Sequence, residues 1–273
     1  MARSDVSHRV QDLWVGLAGV AISFPADGVR VVVSAGSRLC PPAWAGIVVV
    51  GGSGIATAPD AAAARFLRES LTGRPLRSAV EDGRWDGERG VVDVLGPASL
   101  AYLDEREFRP ETAEVARLSP GHPDLDRLAA DVSADDVAES GIGEITSPVF
   151  VVRDGVRVVA AAGYHNWPHA VAHLCVLTSA HFRGRGLARA VASAAVAEAL
   201  ANRLLPQWRA RPEPSRRLAR RLGFRELGAQ VSIRLAASAP GTRPRDGSAD
   251  ARFVEPPGGV RVDGGPRERT GRV

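Results

Sequence analysis

The stretch at residues 178–194, TSAHFRGRGLARAVASA, constrains the fold more than any other part of the sequence. A run rich in apolar residues ends at Thr178, Gly184 and Gly186 follow, and a run made mostly of alanine and valine begins at Leu187. This order predicts a strand, a glycine loop and a helix that runs from about Leu187 to Arg203. The first turn of such a helix leaves backbone N–H groups unpaired at the positive end of the helix dipole. The junction therefore predicts an anion site.

Both flanks of the junction support that interpretation. Gly184 and Gly186 leave the backbone free of side chains that would keep it from a phosphate, and Arg183 and Arg185 add bidentate donors that lysine could not supply. The helix that follows is so rich in alanine that it has little side chain on any face. We expect it to pack close to its sheet and to bring the loop near the strand end.

Charge is concentrated in the same region. The chain has no lysine, so all 35 basic residues are arginine, and residues 181–225 hold 11 of them against Glu198 and Glu213. Residues 1–180 hold 16 arginines against 23 acidic residues. The basic segment indicates contact with a polyanion, and the alternative is a solvated, arginine-rich helix face. A nucleic-acid-binding module is the least favoured interpretation, because the segment lacks interleaved aromatic residues.

The composition excludes several other classes of protein. With 273 residues and 45% hydrophobic residues, the chain can bury a sizeable core. Its apolar runs fall far short of the ~20 residues that cross a bilayer, and the first ten residues have no signal-peptide core. Cys40 and Cys175 lie far apart and outside any zinc-site spacing. We therefore expect a cytoplasmic protein without a metal and without a membrane partner.

Residues 1–115 have α/β character but few chemical groups. Residues 28–34 and 45–51 read as strands, residues 59–71 as a helix, and residues 91–104 as a further strand and a turn. The GGSG sequence at residues 51–54 lacks the remaining signals of a phosphate-binding loop, and we interpret it as a tight turn.

Residues 116–235 carry more signal. One or two helical turns with an acidic edge of Asp135, Asp136 and Glu139 precede two strands joined by an Asp-Gly hairpin and a third strand at residues 170–178. After the alanine-rich helix, the pattern predicts a strand at residues 205–210, a short helix and a last strand. Residues 236–273 are rich in Pro, Gly, Arg and Asp, and we expect a disordered tail. The fold class is thus α/β (α+β), with a mixed, mostly antiparallel central sheet flanked by helices.

This order of elements and motifs resembles the GNAT superfamily of acyl-CoA-dependent N-acetyltransferases. Its cofactor-loop motif, Gln/Arg-x-x-Gly-x-Gly/Ala, is matched in full by residues 183–188, RGRGLA. Val176, Leu177 and Thr178 match the family's cofactor-pairing strand, and residues 216–224, RRLARRLGF, look like its later helix with a Leu-Gly-Phe ending. The resemblance covers about residues 120–235. It implies a two-part member, with an N-terminal α/β subdomain at 1–115, an acetyltransferase domain at 116–235 and the tail at 236–273.

The resemblance implies acetyl-CoA as co-substrate and a primary amine, of a small molecule or a peptide, as acceptor. The pyrophosphate is expected on the amides of residues 184–188, and the thioester carbonyl near the N–H of Val176 or Leu177. The implied cofactor-binding residues are Val176, Leu177, Thr178, Arg183, Gly184, Arg185, Gly186, Leu187 and Ala188. The arginines at 216, 217, 220 and 221 either meet the nucleotide 3′-phosphate or form a solvated face. A homodimer is left open.

The catalytic groups are less well defined. Where family members commonly carry Asn and a Tyr general acid, this chain has Pro212 and Ala219. Ser215 is a substitute acid or a CoA contact, or else only the N-terminal cap of its helix. For the general base we propose Glu144 or His173.

Two neighbouring features bear on the same chemistry. The hairpin with Tyr164, His165, Trp167 and His169 is expected to border the acceptor pocket, and Cys175 is interpreted as a packing thiol rather than an acyl carrier. The missing Tyr and Asn favour an alternative function, an acyl-CoA-binding sensor with weak or no catalysis.

Overall fold

A ten-stranded mixed sheet runs through the part of the chain that the computed structural model describes, which is residues 2–73, 75–81, 85 and 87–236. The helices are α1 (Ala2–Leu17), α2 (Ala61–Leu71), α3 (Leu76–Glu81), α4 (Pro123–Ala130), α5 (Ala134–Ser140), α6 (Leu187–Ala201) and α7 (Glu213–Leu222). The strands are β1 (Gly28–Val33), β2 (Ala45–Val50), β3 (Ser53–Ala58), β4 (Val91–Tyr102), β5 (Ala116–Leu118), β6 (Val149–Asp154), β7 (Arg157–Trp167), β8 (Val171–Thr178), β9 (Leu205–Ala210) and β10 (Arg225–Leu235). Apart from Ala236, the predicted disordered tail lies outside the described residues.

The strand order is β1-β3-β2-β10-β4-β9-β8-β7-β6-β5. The β1–β3 and β8–β9 pairs are parallel, and the other paired neighbours are antiparallel. The predicted mixed, mostly antiparallel central sheet flanked by helices is therefore confirmed. No helix among the described residues is long and apolar enough to span a membrane.

Side chains alternate between the two faces of the sheet, and each face carries its own helices. On the front face, α2 and α3 cover the half that contains β2, β3 and β10, and α6 and α7 cover the half that contains β7, β8 and β9. On the back face, α1 packs on the centre of the sheet and α4 packs on β6, β7 and β8. The alanine-rich α6 buries Ala192, Ala195 and Ala199 against the front face, which is the close packing that its composition predicts.

Strand β4 joins the two parts of the chain into one sheet. It lies between β9 and β10, although β9 and β10 follow each other in the sequence and are connected by α7. Both neighbours of β10, namely β2 and β4, come from the first 102 residues. The predicted domain boundary near residue 115 remains a prediction, and the last strand of the second section depends on the first section for its hydrogen bonds.

Five elements differ from the sequence-based expectation, and two of them, the short helix α3 and the short strand β5, were not predicted. Helix α1 was not predicted, although Val10, Leu13, Trp14 and Leu17 recur at helical spacing and are buried. Strand β3 follows the tight turn at Gly51 and Gly52 and was also not predicted. Residues 91–102 form one strand rather than a strand and a turn, because the irregularity near Gly96–Pro97 is absorbed as a shift in register.

Candidate active-site cleft

The two parallel strands β8 and β9 separate after a short stretch of pairing. They pair at Val171–Leu205, Ala172–Pro206 and His173–Gln207, and not beyond, although β8 continues to Thr178 and β9 to Ala210. The edge of β8 from Leu174 to Thr178 therefore faces a gap instead of a neighbouring strand. A cleft of about 550 Å³ occupies this gap.

The cleft is lined by residues from both strands, from the glycine loop and from the helices at its mouth. They are Glu111, Asp136, Glu139, Ser140, Leu174, Val176, Leu177, Thr178, Phe182, Arg183, Gly184, Gly186, Leu187, Ala188, Arg189, Trp208, Arg209, Pro212, Pro214, Ser215, Leu218 and Arg221. All of the residues that the resemblance assigns to the cofactor, with the exception of Arg185, are in this set. The structure thus brings the strand motif and the loop motif to one cavity.

The glycine loop forms a cradle of backbone donors at one end of the cleft. Gly184 and Gly186 have φ values of 77° and 82°, in the left-handed region, and a Cβ atom placed on either meets no described atom within 4 Å. Gly186 is the N-cap of α6, and no side chain caps this helix. The N–H groups of Leu187 and Ala188 have no backbone acceptor among the described residues, whereas those of Arg189 and Ala190 donate to the carbonyl of Gly186. The described residues likewise offer no backbone acceptor to the N–H groups of Gly184, Arg185 and Gly186.

The strand end beside the cradle has a further unsatisfied group. The Oγ1 atom of Thr178 is buried and has no hydrogen-bond partner among the described residues. A buried hydroxyl without a partner is costly in a folded protein, and it marks a place where a ligand atom would restore a bond. Open backbone donors, an open cradle and this hydroxyl fit the diphosphate and the amide-rich arm of a coenzyme A thioester.

Three carboxylates line the cleft, and an arginine holds each of them. Glu111 pairs with Arg189 at 2.8 Å and Asp136 with Arg183 at 3.0 Å. Glu139 accepts from the Nε of Arg211 at 2.6 Å and from its backbone N–H at 3.1 Å.

These pairs tie α5 to both sides of the cleft, because Arg183 lies in the glycine loop and Arg211 follows β9. A hydrogen bond from Ser133, together with the Arg183 guanidinium, lowers the pKa of Asp136. Arg183 therefore reaches the cleft as expected but is already paired.

The other arginines divide between the cleft and the outer surface. Arg185 lies outside the lining set, where its Nη2 donates to the carbonyl of His181 at 3.3 Å and its guanidinium stacks on Phe182. Arg216 and Arg220 of α7 both bind the carboxylate of Glu226. Of the predicted basic wall on α7, Arg221 lines the cleft.

Ser215 is the predicted catalytic residue that the structure places in the cleft. Its Oγ accepts a hydrogen bond from the indole Nε1 of Trp208 at 3.0 Å. The alternative role as a helix cap is wrong, because α7 begins at Glu213 and its N-cap is Pro212. Ala219, at the position of the missing family Tyr, is buried.

The two predicted bases lie outside the cleft. His173 occupies an alternate position of β8 that faces the back of the sheet, where its Nδ1 lies 2.8 Å from Oε1 of Gln207. Burial, reinforced by the charge of Arg209, lowers the pKa of His173 to about 3. The side chain of Glu144 is 68% exposed and lies 3.7 Å from Nδ1 of His165. The cleft geometry supports neither residue as a base.

The hairpin residues also lie away from this cavity. Tyr164 packs in the core beneath α6, Trp167 packs on the ring of His173, and none of Tyr164, His165, Trp167 and His169 lines the cleft. Cys175 is fully buried, and this burial raises the pKa of its thiol to about 12, as expected for a packing thiol. In the described part of the chain, no group of three or more His, Cys, Asp or Glu side chains could hold a metal ion.

Several lining residues were not predicted. Glu111 and Arg189 meet across 78 positions of sequence, and Trp208 reaches the cleft because alternate residues of β9 face the front. Trp208 had only a partial signal, since alternation along a strand places it on one face of the sheet without indicating which face. The Glu111–Arg189 pair had none, because the loop that contains Glu111 has no regular pattern.

The part of the chain that contains this cleft is similar to a known protein family. Residues 133–229, from the N-cap of α5 into β10, match the family model for GNAT acetyltransferase. This match confirms the resemblance drawn from the sequence motifs. No curated protein sequence matches the chain.

Three of the solved structures that match part of the chain are described as GNAT-family or GCN5-related acetyltransferases or acetyltransferase-like proteins. A putative acetyltransferase of the GNAT family from Novosphingobium aromaticivorans is 23% identical, with a TM-score of 0.43, over 53% of this chain and 67% of that one. A GCN5-related N-acetyltransferase from Kribbella flavida is 17% identical, with a TM-score of 0.42, over 52% of this chain and 58% of that one. A GCN5-related N-acetyltransferase-like protein from Streptococcus suis is 20% identical, with a TM-score of 0.43, over 70% of this chain and 84% of that one.

Proposed function

We propose, from the match of residues 133–229 to the GNAT acetyltransferase family, that this chain transfers an acetyl group from acetyl-CoA to a primary amine. The observation that carries the proposal is the open edge of β8 beside the glycine cradle. In a thioester with an amide-containing arm and a diphosphate, the arm would pair with the open strand edge and the diphosphate would bind the cradle, and the two features lie in one cleft.

The donor is expected to lie along the cleft with its diphosphate on the cradle. The backbone N–H groups of residues 184–188 would bind the phosphate oxygens, and Arg221 lies at the same cavity for additional charge. The unpaired edge at Leu174–Thr178 would pair with the amides of the pantetheine arm, in the manner of an added strand. The N–H of Val176 or Leu177 would then face the thioester oxygen.

The reaction proposed is direct attack in a ternary complex. The neutral amine nitrogen forms a C–N bond with the thioester carbonyl carbon, the C–S bond breaks, the amine loses one proton and the CoA sulfur gains one. Ser215 lines the cleft and has a hydroxyl proton to give, which makes it our candidate for the donor to sulfur. The acceptor is a primary amine of a small molecule or a peptide.

The base has to come from within reach of the cleft. His173 faces the back of the sheet, and Glu144 is not among the residues that line the cleft, so we assign the base to neither of them. Glu139 lines the cleft next to the end of β9, although Arg211 holds it. We expect Glu139 to orient the amine, and proton loss to proceed through water.

The alternative function is an acyl-CoA sensor that binds the donor without turnover. Pro212 and Ala219 stand at the positions of the family's Asn and Tyr, and each of the three carboxylates in the cleft is held by an arginine. Both observations reduce the number of groups that can move a proton.

Two measurements separate these functions. A thermal-shift series with acetyl-CoA, longer acyl-CoA thioesters and CoA tests donor binding, and an enzyme is expected to prefer acetyl-CoA. A thiol-release assay with the preferred donor and a panel of primary amines then tests turnover. Thiol release that depends on the amine supports the transferase, and donor binding without thiol release supports the sensor. Absence of any stabilisation by CoA thioesters would contradict both.

A further inference from the structure

We propose that a closed ring of five side chains, four of them buried and the fifth, Trp167, partly buried, fixes the point at which β8 and β9 separate, and so keeps the donor cleft open. We call it the branch-point ring; its members are Trp14, Tyr102, Gln207, His173 and Trp167. They are positioning residues, since none of them lines the cleft. The link to donor binding depends on the proposed function, whereas the link to strand separation does not.

Gln207 occupies the decisive position in the sheet. In β9 it lies opposite His173 of β8 on one side and opposite Tyr102 of β4 on the other. The His173–Gln207 pair is the last one between β8 and β9 before the two strands part. The Gln207 side chain is fully buried, on the back face of the sheet.

Hydrogen bonds connect this row across three strands and to α1. The Oε1 of Gln207 lies 2.8 Å from Nδ1 of His173, and its Nε2 donates to the hydroxyl of Tyr102 at 3.2 Å. The indole Nε1 of Trp14 donates to the same hydroxyl at 2.8 Å. Because an amide oxygen can only accept, His173 must carry its proton on Nδ1. The four groups form one buried chain of bonds.

Aromatic contacts close the chain into a ring. The ring of His173 stacks on the ring of Trp167 with centroids 4.5 Å apart, and Trp167 meets Trp14 edge to face at 6.0 Å. The circuit therefore runs from α1 through β4, β9 and β8 to the end of β7 and back to α1. Helix α1 was not predicted from the sequence, and these contacts connect it to the strands that border the cleft.

A buried polar row of this kind specifies register. If β9 slipped by one residue along β8, Gln207 would lose both partners, and Trp208 would turn from the front core to the back face. Buried amide and imidazole groups without partners are costly, so the row holds the strands at this one alignment. Beyond the row the strands are free to diverge, and the open edge of β8 begins at the next residue, Leu174.

The test compares two buried tryptophans that each donate a hydrogen bond from the indole N–H, one in the branch-point ring and one outside it. Trp14→Phe removes the buried hydrogen bond from the indole N–H to the hydroxyl of Tyr102. Trp85→Phe removes a buried hydrogen bond of 2.7 Å from the indole N–H to the carbonyl of Ala79, and Trp85 lies in the front-face cluster under α2 and α3. Both variants are expected to lower the denaturation midpoint by similar amounts. Trp14→Phe is expected to raise the Kd for acetyl-CoA by about 2- to 30-fold, the range for residues that act through a network, and Trp85→Phe to leave it unchanged.

A second measurement needs no ligand. In Gln207→Met, the slowly exchanging Nδ1 proton of His173 should disappear from the NMR spectrum, and amide hydrogen exchange should change at Leu174–Thr178 and in β9. In Trp85→Phe, neither should change. If both tryptophan variants have the same effect on the Kd, or if Gln207→Met leaves exchange along β8 unaltered, the proposal is overturned. Failure of the wild-type protein to bind acetyl-CoA would refute the proposed function, and the exchange data would still decide on the branch-point ring.

Discussion

The cradle at the start of α6 makes a quantitative prediction for Gly186. Gly186 lines the cleft and has a φ of 82°, and an added Cβ would meet no described atom within 4 Å. In Gly186→Ala, the left-handed backbone costs an L-residue roughly 1–2 kcal/mol, so the free energy of unfolding should fall by that amount. No steric clash within the protein adds to this value, since no described atom lies within 4 Å of the new carbon.

The effect on the donor should be larger than the effect on folding. We expect the added carbon to keep the phosphate from at least one N–H group of the cradle. Loss of one charge-assisted hydrogen bond costs about 1.5–3 kcal/mol, which corresponds to a roughly 10- to 100-fold rise in the Kd for acetyl-CoA. Isothermal titration calorimetry measures this value directly, and chemical denaturation measures the unfolding free energy of the same samples.

The matched control is Gly155→Ala. Gly155 also has a positive φ, of 59°, in the turn between β6 and β7, and an added Cβ meets nothing within 4 Å. It should lose a similar amount of stability and bind acetyl-CoA as the wild type does. If Gly186→Ala bound acetyl-CoA as tightly as Gly155→Ala, the cradle would not be the phosphate site.

Three other predictions follow from separate features. Thr178→Val removes the buried hydroxyl that has no hydrogen-bond partner among the described residues, so the free energy of unfolding should be unchanged or slightly higher. The Kd for acetyl-CoA should rise about 2- to 10-fold, and a loss of stability with an unchanged Kd would contradict this role of the hydroxyl. In the folded protein the pKa of His173 is lowered to about 3, so the unfolded state takes up a proton at this residue as the pH falls below about 6.5 while the folded state does not. The free energy of unfolding, measured by chemical denaturation, should therefore be about 2 kcal/mol lower at pH 5 than at pH 7. Equal values at the two pH values would refute the buried neutral state. Residues 116–236 alone should fail to give a dispersed NMR spectrum, because β10 loses both of its neighbours; a well-folded fragment would contradict the shared sheet.

Local patterns predicted the parts of the fold that depend on neighbouring residues. The strand, glycine loop and alanine-rich helix at residues 171–201 lie where the sequence predicts them, because glycine placement and apolar periodicity are local signals. The glycine loop and the strand end that the sequence singles out line one cleft, with the exception of Arg185. The insertion of β4 between β9 and β10 could not be predicted, because strand order depends on contacts between residues more than a hundred positions apart.

Side-chain direction was the main limit on predicting the candidate catalytic groups. His173 and Val176 lie on the same strand, but they differ by an odd number of positions and therefore face opposite sides of the sheet. The sequence indicated the strand without indicating which face meets the cleft. The pairing of Arg183 with Asp136 was hidden for a related reason, since it requires α5 to lie across the strand ends.

Backbone amide NMR during a titration with acetyl-CoA can show whether the cradle and the open edge of β8 bind one acyl-CoA donor together. We predict that the amides of residues 184–188 and of residues 174–178 shift together and saturate at the same concentration. If saturating acetyl-CoA left these amides unchanged, or shifted only amides in the half of the sheet under α2 and α3, donor binding at the cradle and the open edge of β8 would be contradicted.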